Sequence, residues 1–295
     1  MINYAVSLGS LKYFADEEFC EAFKKSKFKR AELAFLPYTI NDERSRKSYD
    51  VTRKMIENKE LISASVHLPF CTWDENISYD ISALDENIRR EVVKRMYKII
   101  RDNAELMAPN VTLHGSLEPP QEQHAAHIDQ CRRSIEELLP LAQEMNFSIN
   151  IEYLPRTCIG NSVEELQKII SGFDAEHVGI CFDVNHVMDK YNELPDMIET
   201  LSSRIKTFHI SDHDGIDELH WFPTQGIIDW QKVMAKIKNI SHDVILIFET
   251  AGQLYNTGRN RFANPSYALK EMEKCAYILE NADTIIPAIR EFQIP

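Results

Sequence analysis

No glycine-rich loop follows any apolar run of this chain, no C-x-x-C pair occurs, and Lys and Arg form no basic run at the ends of the apolar runs. Nor does any stretch approach the ~18 apolar residues of a membrane span. Each absence removes a class of protein. Without the glycine loop, a dinucleotide fold or a P-loop is not expected. The six cysteines (Cys20, Cys71, Cys131, Cys158, Cys181 and Cys275) are widely scattered, which suits reduced thiols better than a disulfide framework. The start, Met1-Ile-Asn-Tyr-Ala-Val-Ser-Leu, lacks the basic and apolar regions of a signal peptide, so a cytoplasmic location is expected. Acidic residues (46) outnumber Lys and Arg (33), giving a net charge of −13. That balance weighs against a dedicated nucleic-acid binder, because phosphate contacts require clustered cations. A bound metal brings its own positive charge, so a phosphorylated substrate stays open.

What is present is an alternation. With 44% hydrophobic and 27% charged residues, the chain can bury a sizeable core. Strand-like runs are read at Ile2–Leu8, Ala31–Leu36, Leu61–His67, Val111–His114, Phe147–Glu152, Val178–Asp183, Ile205–His209 and Val244–Glu249. Helical stretches follow them, at Asp16–Lys25, Asp42–Asn58 (with Asn41 as N-cap), Ser82–Leu106 (with Ser82 as cap), Gln121–Met145, Val163–Ser171, Leu194–Leu201, Asp229–Lys238 and Pro265–Leu279. Phe19, Ala22 and Phe23 share a stripe, as do Ile88, Val92, Met96 and Ile99. Strands joined by helical crossovers are parallel. Eight such units favour a closed (β/α)8 TIM barrel, an α/β fold, as one domain over residues 1–295.

In that fold the C-terminal strand ends converge on one face, where active sites are built. Glu152, Asp183, His209 and Glu249 end four successive apolar runs, with His67 and His114 on the two before them. Three carboxylates and an imidazole form an oxygen and nitrogen ligand set for one divalent ion, whether Mn²⁺, Zn²⁺, Mg²⁺ or Co²⁺.

The pattern resembles the xylose isomerase-like TIM barrel superfamily, which contains sugar isomerases and epimerases, inosose dehydratases and the family-2 apurinic endonucleases. The resemblance rests on Ser65-Val-His67-Leu-Pro, Thr112-Leu-His114-Gly-Ser, Ile151-Glu152-Tyr and Cys181-Phe-Asp183-Val-Asn-His186. It continues in Phe208-His209-Ile-Ser-Asp212, Ile247-Phe-Glu249 and the segment from His220 to Trp230, of the form H-x-x-P-x-x-G-x-x-D-W. It runs from about residue 60 to 250. It implies that Glu152, Asp183, His209 and Glu249 hold a metal contacting two vicinal substrate oxygens, while Glu152 and Glu249 carry protons on either face of an enediolate. His186 would then bond a substrate oxygen or be held by backbone.

For His67 and His114 the resemblance leaves two roles. In the endonuclease branch such histidines bind a second metal, and residues matching His186 and His220 help hold a third, for up to three Zn²⁺. In sugar-acting relatives they contact substrate or water. Where the endonucleases carry Asp-x-His, this chain has Glu218-Leu-His220. Sugar enzymes usually read H-x-x-P-G-E-G where Thr224-Gln225 stand here. The ketose 3-epimerases carry an arginine at the position matching Gly215. Arg259 and Arg261, behind the last strand, could bind phosphate or pair with local acids, and Tyr38 and Trp73 could line the mouth or pack its rim. The expected activity is metal-dependent isomerisation or epimerisation of a keto-sugar, sugar phosphate or polyol derivative. An inosose-type dehydratase, an apurinic endonuclease-like phosphodiesterase and a non-catalytic metal- or sugar-binding barrel are the alternatives. The expected partner is a small carbohydrate, with no nucleic acid or membrane and with homo-oligomers open.

Overall fold

Val178-Gly-Ile-Cys-Phe-Asp is short and buried along its whole length, the signature of a strand covered on both faces; it forms β6 (Val178–Asp183). Similar runs form β1 (Ile2–Ser7), β2 (Arg30–Ala34), β3 (Ile62–His67), β4 (Asn110–Leu113), β5 (Ser148–Glu152), β7 (Ile205–Ile210) and β8 (Val244–Phe248). The computed structural model describes residues 1–11, 15–35, 42–70, 78–250 and 264–292, the last four of these by backbone alone. All eight strands pair in parallel in chain order, and β1 closes the barrel on β8 from Ile2↔Val244 to Val6↔Phe248. The fold is thus the (β/α)8 TIM barrel that the alternation implies.

The helices are α1 (Leu8–Leu11), α2 (Glu17–Lys25), α3 (Glu43–Glu57), α4 (Glu86–Asp102), α5 (His124–Met145), α6 (Val163–Ile170), α7 (Leu194–Leu201), α8 (Trp230–Lys238), α9 (Pro265–Glu280) and α10 (Ala282–Phe292). Acidic side chains start several of them. Asp16 accepts from Phe19 N, Asp42 from Ser45 N and Asp85 from Asn87 N and Ile88 N, each satisfying an otherwise orphaned amide. The caps therefore differ from Asn41 and Ser82. Ser82 instead donates to Asp80 Oδ1 at 2.6 Å and lies 3.0 Å from His127 Nδ1. Val92, Met96 and Ile99 of α4 face the core as their spacing requires, but Ile88 is nearly half exposed, at 48%. Phe19, Ala22 and Phe23 are buried as expected.

Apolar residues fill the space between helices and strands, from Phe19 and Leu33 round to Trp230 and Phe248. The barrel interior is more polar. Glu32, Ser65, Thr112, Asn150, Thr207 and His209 are all fully buried. Among the described residues no helix is long and apolar enough to cross a membrane, and the five of the six cysteines that lie there are unpaired.

Candidate metal centre

His67, Glu152 and Asp183 are the last residues of β3, β5 and β6; His209 is next to last in β7. His114 and Glu249 directly follow β4 and β8. Because the strands are parallel, these six side chains meet at one rim. Register shifts occur between Ala31 and Glu32 in the β2–β3 pair, and between Ile180 and Cys181 in the β6–β7 pair. One-residue irregularities re-aim the side chains that follow them, and here the second leaves Asp183 opposite His209.

Glu152, Asp183, His209 and Glu249 each offer a ligand atom, all within 4.8 Å of one another. His209 Nδ1 lies 2.8 Å from Glu249 Oε2, 3.0 Å from Glu152 Oε1 and 3.7 Å from Asp183 Oδ2. Asp183 Oδ2 is buried without a hydrogen-bond partner. An unsatisfied buried acceptor costs about 1–3 kcal/mol, more when charged. Three carboxylates around one imidazole nitrogen also leave excess negative charge in a largely buried site. A divalent cation among these four side chains meets both needs, so the donor set fits the group that the sequence pattern implies.

Two further donor groups adjoin the first: His67 with His114 and Glu152, and His186 with Glu218 and His220. Glu152 belongs to two groups at once. Its Oε2 lies 3.2 Å from His67 Nε2 and 2.9 Å from His114 Nε2, while Oε1 faces His209. Backbone carbonyls orient the imidazoles from behind. His67 Nδ1 donates to Leu68 O at 2.8 Å, His186 Nδ1 to Tyr153 O at 2.9 Å and His220 Nδ1 to Glu249 O at 3.0 Å. A carbonyl can only accept, so each Nδ1 carries a hydrogen; Nε2 of His67 in turn donates to the Glu152 carboxylate, while Nε2 of His186 and of His220 stays open. His186 is therefore backbone-held at one nitrogen and open at the other, whose nearest carboxylate is Glu218 Oε2 at 3.9 Å.

The electrostatics follow from this crowding. Burial opposes ionisation of Glu152, but His114 and His209 outweigh it and hold the carboxyl well below the usual carboxylate range. Glu249 is lowered too, with His209 overcoming burial. Burial alone would lower His67, yet its hydrogen bond and charge contact with Glu152 raise it to about 9. Cys181, Glu32, Glu249 and Glu152 together raise His209 against the same burial effect. His114 is lowered, chiefly by burial.

A cavity of about 570 Å³ opens onto these groups. Leu68, Pro69, Phe70, Leu117, Leu154 and Pro155 form an apolar wall, with the Phe70 ring stacked on His114 at 4.0 Å. Glu249 shows 21% of its side chain and Glu152 only 1%. Arg156, φ 51°, also lines the cavity and pairs with both Glu118 and Glu218.

The loop after β7 hangs on Asp212. That carboxylate accepts from Thr224 N at 2.9 Å, His213 N at 3.0 Å, Ile228 N at 3.2 Å and Trp230 Nε1 at 2.7 Å. The Asp229-Trp230 end of the H-x-x-P-x-x-G-x-x-D-W segment is thereby explained as an indole anchor. His220 and Thr224 have φ of 47° and 77°, the left-handed region that glycine adopts without steric cost.

Every strand-end residue singled out in the sequence thus lies in one connected cluster. Arg259, Arg261, Tyr38 and Trp73 lie outside the described residues. Glu32, Arg156 and the ligand capacity of Glu218 were not anticipated. Glu32 carries the same signal as the others, an acid inside an apolar run, but mid-strand rather than at its end.

Comparison with known proteins agrees with this architecture. A family model described as xylose isomerase-like TIM barrel matches residues 20–274. The uncharacterized protein MJ1311 of Methanocaldococcus jannaschii is 25% identical over 190 residues, which is 62% of this chain and 63% of that protein. The match thus spans somewhat less than two thirds of that relative's length. D-psicose 3-epimerase from Clostridium cellulolyticum H10, solved with D-tagatose, superposes with a TM-score of 0.72 at 14% identity, covering 95% of this chain and 98% of that one. The IOLI protein with a bound zinc atom gives a TM-score of 0.70 at 15% identity, covering 94% and 97%. At such identities the likeness is one of fold.

Proposed function

Since the chain belongs to the xylose isomerase-like TIM barrel family, we propose that it is a divalent-metal-dependent isomerase or epimerase of a keto-sugar, sugar phosphate or polyol derivative. The observation that carries this reading is the grouping of Glu152, Asp183, His209 and Glu249 beside a cavity sized for a small molecule. The ion, when bound, supplies Lewis-acid stabilisation of the charge that develops on an enediolate. Glu249, the more open of the two glutamates, takes a proton from the substrate carbon next to the carbonyl. Glu152 approaches from β5, with β6 and β7 between the two, and serves the other side. Its links to His67 and His114 give that proton two imidazoles with which to exchange. The open Nε2 atoms of His186 and His220 hold substrate hydroxyls.

Gly215 bears on the substrate. Its φ is 84°, a conformation that an arginine side chain disfavours. A substrate held otherwise than in the free ketose 3-epimerases is the consistent choice. We further read residues 1–295 as one domain acting in the cytoplasm.

Two measurements test the proposal together. Purified protein should contain Mn²⁺, Zn²⁺, Mg²⁺ or Co²⁺ and should exchange a substrate C–H for deuterium in D₂O across a panel of keto-sugars, their phosphates and inososes. Protein that neither contains nor binds such an ion would sink it. Glu249→Gln should lower turnover by about 10²–10⁴-fold with the fold intact, the usual contribution of a positioned acid or base. Near-normal turnover would remove Glu249 from the chemistry.

A second reading has its own observation. Glu152 is shared by two donor groups, and His186, Glu218 and His220 make a third. That arrangement also suits a site of up to three Zn²⁺ hydrolysing a phosphoester. A metal content near three per chain, hydrolysis of abasic DNA or small phosphate esters, and no C–H exchange would favour it. The −13 charge favours a small substrate over DNA.

A further inference from the structure

Of the four donors in the central group, three are carboxylates, which can ligate through either oxygen. His209 must present one particular ring nitrogen. The surrounding imidazoles His67, His186 and His220 are all tied through Nδ1 to backbone carbonyls. His209 is reversed. Its Nδ1 faces Glu152, Asp183 and Glu249, and its Nε2 points back into the barrel at Glu32.

Both oxygens of Glu32 lie close to that nitrogen, Oε1 at 3.1 Å and Oε2 at 3.2 Å. Glu32 has no exposed surface and does not line the cavity, so it is not placed to touch substrate. Its other neighbours are hydroxyls: Ser65 Oγ donates to Oε2 at 2.8 Å, and Thr112 Oγ1 lies 3.4 Å away. A carboxylate buried this deeply is costly unless paired and hydrogen-bonded, and His209 is the partner that sits against both its oxygens. The register shift between Ala31 and Glu32 leaves Glu32 opposite Ser65 in the β2–β3 pair.

We propose that Glu32 is a positioning residue of the metal centre. It accepts the Nε2–H of His209, fixes the tautomer whose lone pair is on Nδ1, and makes that nitrogen a stronger donor to a divalent cation. Carboxylate–histidine pairs of this kind tune metal sites generally, and losing one typically weakens metal affinity about 10–100-fold. The proposal rests on Glu152, Asp183, His209 and Glu249 being the ligand set.

Chelator-stripped protein, full length, is titrated with Zn²⁺ against a chromophoric competitor. In Glu32→Gln one Zn²⁺ affinity should fall about 10–100-fold while far-UV circular dichroism stays that of the parent. Glu32→Asp keeps the charge on a shorter arm and should lose less, which separates the role from general damage. Should neither variant fold, ¹⁵N imidazole NMR of the Zn²⁺-loaded parent still decides, since His209 should carry its proton on Nε2 and none on Nδ1. Unchanged Zn²⁺ affinity in a folded Glu32→Gln, or a proton on Nδ1 in the loaded parent, overturns the role of Glu32 and leaves the ligand set standing. A parent protein that binds no Zn²⁺ overturns the ligand set itself.

Discussion

Gly226 sits where a side chain cannot. A Cβ there would fall within contact distance of the His213 carbonyl oxygen and the Asp212 carboxylate, both of which are tied into the loop after β7. Gly226→Ala should therefore cost about 1–3 kcal/mol, the usual range for forced overpacking. Thermal unfolding followed by circular dichroism checks it, and an unchanged midpoint would mean that the loop relaxes freely. At this scale the sequence revealed the chemistry better than its orientation. Strand-end Glu152, Asp183, His209 and Glu249 were legible because charge at the end of a buried run is anomalous. The nitrogen that each imidazole presents was not, because backbone carbonyls choose it for His67, His186 and His220. Glu218 was hidden by its departure from the Asp-x-His pattern.

The β7–α8 connection shows how one element carries a loop. Asp212 is buried and serves three backbone amides and the Trp230 indole. Asp212→Ala strands those donors, and each buried donor left unpaired costs about 1–3 kcal/mol. Hydrogen exchange at Thr224 and Ile228 should speed markedly in that variant, while amides of β4 and β5 keep their protection. Equal protection throughout would show that the loop is held by something else. The eight strands and the helices that follow them were read to within a few residues, because apolar runs and 3.6-residue stripes are local signals, whereas α1 and α10 were not read. The caps at Asp42 and Asp85 and the two register shifts were missed. Asp and Asn or Ser are near-equivalent as caps, and a one-residue slip depends on the neighbouring strand, which local sequence does not contain.

For the molecule as a whole, protons and metal compete for one buried cluster. The folded protein holds the His67 proton up to about pH 9, above the ordinary histidine value near 6.5. A raised value stabilises the fold fully below pH 6.5 and is lost as pH climbs through 9. Chelator-treated protein should therefore lose thermal stability across that window. Added Zn²⁺ should restore it by an amount that grows with pH, about 2.7 kcal/mol at a hundredfold excess over Kd. A shift in melting temperature that is flat in pH would argue against proton displacement. Eightfold alternation made the barrel readable before any contact was known, since parallel strands joined by helices admit few closures. Its seam between β1 and β8 and the span from Glu32 to His209, 177 positions apart, have one more consequence. A ribosome-bound or truncated chain that has not yet made β7 and β8 lacks half of the central donors, so capture of an ion would time the end of folding rather than its start. Completion of β7 and β8 would then decide when the protein becomes competent.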